Sequence, residues 1–144
     1  MAAAVTEEAI DQLARKAASA ADDAEREAEM IEGLRDLLTV LETGELPTVA
    51  TQHRVIGTDI CHLVAPASIV DLSGAAGKLF VTSNRLVFAA GSVRAAPWHR
   101  VRGVARAGRD VLVTIAGVGE PLHLRCNTYS DALVARHMAD TLRR

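Results

Sequence analysis

A chain of 144 residues is long enough to bury a core without disulfides or metals, and it suits one ordinary domain plus an appendage. Hydrophobic residues make up 49% of it but aromatics only 3%, which excludes a disordered chain and leaves Val, Leu, Ile and Ala to build the core around Phe80, Phe88 and Trp98. The net charge of −2 conceals a division: the first 46 residues hold twelve acids and four bases, a net of −8, and the remainder twelve bases and six acids, a net of +6. The chain is a basic body with an acidic arm, a property that bears on partners rather than on fold.

From Thr6 to about Glu42 there is no proline, and Ala, Glu, Arg and Leu dominate, which predicts a helix with Thr6 as N-cap and acids in its first turn. Ile10, Leu13, Ala17, Ala20, Ala24, Glu27, Ile31, Leu34, Leu38 and Leu41 follow one alternating three-and-four series, an amphipathic stripe with a thin alanine middle. Two uses are open for it: the leucine-rich end packs on the chain's own domain, or the helix self-associates as a coiled coil and makes a homo-oligomer. Gly44 and Pro47 end the helix, so residues 1–43 form the acidic arm and residues 44–144 the second unit.

Beyond Pro47 the hydrophobic period shortens to two. Runs over Thr48–Val55, Ile60–Ala65, Lys78–Thr82, Arg85–Ala90, Val111–Ile115 and Leu122–Cys126 are separated by turn residues, the pattern of an antiparallel barrel or sandwich. A two-residue turn at Ser83-Asn84 sets Val81 opposite Leu86 and Leu79 opposite Phe88 on one face, with Phe80 on the other, so that Phe80→Ala is expected to cost less than Phe88→Ala. The Gly117-Val118-Gly119 loop joins a second hairpin. A closing helix from about Tyr129 to Leu142 has its cap at Thr128 and its apolar face in Leu133, Val134, Met138 and Leu142.

The stretch from Gly77 to Phe88, GKLFVTSNRLVF, resembles the "G-x-L-x-x-T-x-x-R-L-x-F" hairpin of bacterial pleckstrin-homology-like, GRAM-type domains. Val101 and Val104 fall at the spacing of that family's "I-x-x-V" segment, and a hairpin and a helix complete the order. The resemblance implies an α+β fold: a partly open antiparallel β-barrel capped by the C-terminal helix, here preceded by the N-terminal amphipathic helix. It also implies an adaptor for anionic lipids or peptides that is not an enzyme and carries no cofactor. The lysine-rich first hairpin of lipid-binding pleckstrin-homology domains is missing, since Arg54 alone is basic between Pro47 and Lys78.

Cys61-His62 and His123-x-x-Cys126 are the two candidate metal pairs, and in each the two side chains leave opposite faces of a strand, so neither chelates and no metal is expected. No nucleophile elbow, P-loop or G-x-G-x-x-G is present. What remains is Arg85, Arg94, Arg100, Arg102, Arg106 and Arg109, six arginines in 25 residues without an acid among them. Trp98, Arg100 and Arg102 alternate and would share one face of a regular strand, which is either an ordinary solvated outer face or a guanidinium patch suited to phosphate or carboxylate groups. Nucleic acid is disfavoured by the overall acidity and the shortage of stacking aromatics. Two cysteines are too few for a secreted framework, and no signal-like or membrane-spanning stretch is present, so a cytoplasmic place with at most peripheral membrane contact is expected.

Overall fold

The computed structural model describes residues 6–43, 45–51 and 53–144. Helix α1 spans Glu7–Thr43 and opens with the Ala9 amide donating to Thr6 Oγ1 at 3.2 Å, the cap that the sequence predicts. Seven antiparallel strands follow: β1 (Cys61–Ile69), β2 (Ala76–Thr82), β3 (Arg85–Ala90), β4 (Ser92–Pro97), β5 (Val101–Ala107), β6 (Asp110–Ile115) and β7 (Leu122–Cys126). Helix α2 (Tyr129–Leu142) closes the order, with the Asp131 amide donating to Thr128 Oγ1 at 3.1 Å.

The strands lie in the order β4-β3-β2-β1-β7-β6-β5. The two edge strands are therefore successive in the chain, joined by a 3-10 turn over Trp98–Arg100. A sheet whose edges are tied so closely must curl around its own inner face, yet β4 and β5 do not pair. This is the expected partly open barrel, with α2 packed over its core.

The first hairpin takes the predicted register, Leu79 opposite Phe88 and Val81 opposite Leu86. These four, with Val111, Val113, Leu124, Cys126 and Met138, form the main core. Pro66 is tolerated inside β1 because its backbone turns toward β7, where its carbonyl accepts from the Asn127 amide at 3.4 Å, and the β1–β7 pairing begins only at Ala67.

Three expectations change. Residues 48–55, apart from Gln52, which lies outside the described residues, form no strand. Val49 makes one backbone bond to Cys61 (2.8 Å), and the chain then enters a 3-10 turn over Arg54–Ile56. That turn drops Ile56 onto the outer face of the first hairpin, and Gly57, at φ +56°, reverses the chain toward β1. Phe80 consequently has 0% exposure, enclosed with Ile56, Cys61 and Val87 in a second small core, so it is not the cheaper of the two phenylalanines to remove. Strand β4 has no signature in the sequence, because an edge strand with only Ala96 facing the core carries no apolar alternation.

The third change concerns α1. Gly33 lies against the backbone of Ser130 at the start of α2, so close that a Cβ there would stand 3.0 Å from the Ser130 Cα. Val40 and Leu46 pack on the main core. Ile31, Leu34, Leu38 and Leu41, the leucine-rich stripe for which docking on the chain's own domain is one of the two uses open from the sequence, are 45–54% exposed. The covered side of the helix carries Gly33, Leu37 and Val40; the close approach to α2 at Gly33 leaves no room for a side chain there, and the apolar stripe points elsewhere.

Candidate functional site

Of the seven residues in the expected anion patch, two are structural. Trp98 starts the 3-10 turn rather than a strand, so the alternation with Arg100 and Arg102 does not apply; its ring is 6% exposed and its Nε1 donates to the Thr82 carbonyl at 2.8 Å. Arg85 donates through Nε to Asp59 Oδ2 (3.0 Å) and through Nη2 to the Val55 carbonyl, holding the 3-10 segment onto the hairpin. Asp59 also accepts from Thr82 Oγ1 at 2.9 Å and from Asn84 Nδ2 at 2.7 Å.

Burial pushes the Asp59 carboxyl up, but the bonds from Asn84, Arg85 and Thr82 outweigh it and hold the group below the ordinary carboxylate range. The folded carboxylate thus binds its proton less readily than the unfolded one. The network adds stability at neutral pH, and this contribution shrinks as pH falls below about 4. Asp59→Asn is expected to lower stability at neutral pH by about 2 kcal/mol, from the lost bonds to a charged acceptor. Urea midpoints of the two chains should converge on acidification; a constant gap would show that the carboxylate charge is not what matters.

The other five arginines separate. Arg106 turns its Nη1 to the Gly108 carbonyl (3.0 Å), and Arg109 stands over the Tyr129 ring, 5.9 Å from its centroid. Arg106 lies near the end of β5 and Arg109 in the turn between β5 and β6. Arg94 and Arg100 border one groove and Arg102 another depression. The run of arginines in sequence therefore does not fold into one patch, because edge strands β4 and β5 lie at opposite ends of the sheet.

The groove is about 680 Å³ and lies between β4 and the β6–β7 hairpin. Five consecutive residues of β4, from Val93 to Pro97, line it. Successive strand residues face opposite ways, so the groove runs along the strand's free edge rather than over one face. Apolar lining comes from Ile69, Val93, Ala96, Ile115, Val118 and Leu122, and polar groups from Asp71, Arg94, Arg100, Glu120 and His123. Arg100 is braced by a bond from Nη2 to the Ala116 carbonyl at 3.0 Å. His123 Nε2 is 2.8 Å from Asp110 Oδ2, and Arg125 holds the same carboxylate at 2.7 Å. The hydrogen bond from Arg125, with that of His123, keeps Asp110 below the usual carboxylate range against the opposing effect of burial.

The second depression gathers Arg102 from β5 with Arg136, Arg143 and Arg144 around Asp140. Asp140 meets Arg136 at 3.6 Å and Arg143 at 3.4 Å, while Arg143 Nη2 donates to the Arg102 carbonyl at 2.6 Å. The sequence reading missed Arg136, Arg143 and Arg144 because it took α2 for its apolar face. Their helical spacing, seven residues from 136 to 143, was the available signal.

Cysteine chemistry is quiet. Cys126 is 1% exposed, and burial, with Asp131 and Asp110 adding to it, pushes its thiol up to about 12. Burial raises the Cys61 thiol as well. Neither is a ready thiolate. Among the described residues no cluster of three or more His, Cys, Asp or Glu side chains is placed to hold a metal, and no helix is long and apolar enough to cross a membrane.

No protein-family model and no curated protein matches the chain. Solved structures do. The C-terminal domain of an unknown protein from Leishmania infantum superposes with a TM-score of 0.52 at 11% identity, covering 62% of this chain and 90% of that one. A complex of the FERM and C-terminal domains of Drosophila Merlin gives a TM-score of 0.40 at 15% identity over 56% of this chain, which spans 27% of the Merlin chain. At these identities the chain shares with the Leishmania domain a fold, the curled antiparallel sheet closed by a C-terminal helix.

Proposed function

We propose that this chain is a non-catalytic binding module, a GRAM-like adaptor, whose groove along β4 takes an extended peptide carrying an acidic side chain. The observation that carries the reading is the unpaired edge of β4 forming one wall of an apolar groove. An extended chain laid there would continue the sheet through main-chain hydrogen bonds, with alternate side chains in the apolar floor. Arg94 and Arg100 at the border supply the charge that pairs with a carboxylate, whereas Asp71 and Glu120 repel an acid placed beside them and so restrict where along the peptide that acid can lie.

Selection from a random octapeptide library followed by NMR titration tests this. Acidic, β-prone peptides should be enriched, and amide shifts should cluster from Val93 to Ala96. Arg94→Glu with Arg100→Glu should reduce affinity at least tenfold, about 1.4 kcal/mol. Enriched peptides without acids, or shifts away from β4, would overturn the reading.

The four arginines around Asp140 favour a second reading, contact with an anionic lipid surface. Co-sedimentation with phosphatidylserine vesicles, lost in Arg102→Glu with Arg136→Glu and weakened by salt, would support it in place of the peptide.

A further inference from the structure

Helix α1 leaves an apolar stripe that no other element among the described residues covers. Ile10 and Leu13 are 53% and 66% exposed, and Ile31, Leu34, Leu38 and Leu41 between 45% and 54%. The contact with α2 uses Gly33 and the side of the helix around it, roughly 110° away at 3.6 residues per turn. The stripe is therefore open along its whole length. We propose that it is covered by α1 of a second copy of this chain, running antiparallel in full overlap.

The register follows from the order of large and small residues. Bulky side chains occupy the two ends of the stripe and alanines its N-terminal middle. In an antiparallel pair, layers match one stripe residue with another whose numbers sum to 51. Ile10 then meets Leu41 of the second copy and Leu13 meets Leu38, large against large at both ends. Ala17 meets Leu34 and Ala20 meets Ile31, so each alanine gap receives a bulky partner. Ala24 meets Glu27, which leaves its carboxylate at the centre beside a side chain too short to cover it. A parallel pair would instead stack Ala17, Ala20 and Ala24 each on itself, leaving voids, and place Glu27 against Glu27.

The area is sufficient. A helix of 37 residues is about 55 Å long, and a contact strip about 10 Å wide removes on the order of 1,100 Å² from the pair, just above the roughly 1,000 Å² that a biological interface must clear. Most acids of the arm, such as Asp11, Asp22, Glu25, Glu29 and Glu32, lie off the stripe, so the pair can form. The net charge of −8 in the first 46 residues nevertheless sets like against like, which salt will screen. An α1–α1 pair must tighten as salt rises, whereas docking of the acidic arm on another copy's basic barrel must loosen. This inference stands apart from the groove at β4.

Sedimentation equilibrium of the full chain at low and high salt should show a dimer that strengthens with salt. Leu34→Asp, at an exposed position, should abolish it while leaving barrel melting unchanged. With Cys61 and Cys126 buried, oxidation of mixed Ala17→Cys and Leu34→Cys chains should yield a cross-linked heterodimer, and neither variant alone should cross-link. A monomer at all concentrations, a dimer dissociated by salt, cross-linking of Ala17→Cys alone, or no cross-link in the mixture each overturns the proposal.

Discussion

Phe80→Ala is expected to destabilise the chain by about 3–5 kcal/mol, as much as Phe88→Ala on the inner face of the same hairpin. Both rings are almost wholly enclosed, at 0% and 2% exposure. Phe88 fills the barrel core, and Phe80 fills the space under the 3-10 segment with Ile56, Cys61 and Val87. The His53 ring stands 4.8 Å from the Phe80 ring and covers its outer side. Truncation of Phe80 removes the surface on which residues 53–60 rest, so it should also expose that segment to amide exchange. Ile56→Ala, the reciprocal change, should cost about 2–5 kcal/mol, and the double variant less than the sum, since each single change already empties part of the same cluster. Denaturant unfolding of the four chains measures all of this. A cost for Phe80→Ala well under that of Phe88→Ala would mean that the outer cluster is not packed as a core.

Gly77→Ala is expected to cost about 3 kcal/mol, the upper end of what added methyl groups impose on packed sites. A Cβ at Gly77 would stand 2.1 Å from the Ala89 carbonyl oxygen and 2.6 Å from the Ala90 Cβ. The obstacle is backbone, which cannot rotate aside as a long side chain would. Relief requires β2 to lift from β3 beside the Lys78–Ala89 pair, so the loss should appear as weakened amide protection at that end of the hairpin. Gly103→Ala in β5 is the control, because nothing stands within 4 Å of a Cβ there. It should be neutral or slightly stabilising through the reduced freedom of the unfolded chain. Equal effects at the two glycines would show that the close approach at Gly77 is not what constrains it.

The sequence by itself determined what depends on neighbours along the chain. The cap at Thr6, the second helix from Tyr129, and the register that sets Val81 opposite Leu86 follow from short spacings, because a helix or hairpin is specified by residues a few positions apart. Gly77 at the head of the hairpin motif was legible as a residue, but its reason lies in Ala89 on the next strand. Tertiary structure alone decided four things. It decided that residues 54–56 cover Phe80, that α1 docks by the side carrying Gly33 and not by its stripe of Ile31, Leu34, Leu38 and Leu41, that β4 exists as a bare edge, and that the arginine run is dispersed, with Arg94 and Arg100 at one depression and Arg102 at another. Arg94 and Arg102 are eight positions apart in sequence yet sit on opposite edges of a curled sheet, while Arg102 and Arg143, 41 positions apart, are joined by a hydrogen bond. Local periodicity reports which way a side chain leaves its own strand or helix; which other side chains it meets is set by strand order and curl, and those are fixed by long-range pairing that no short window contains.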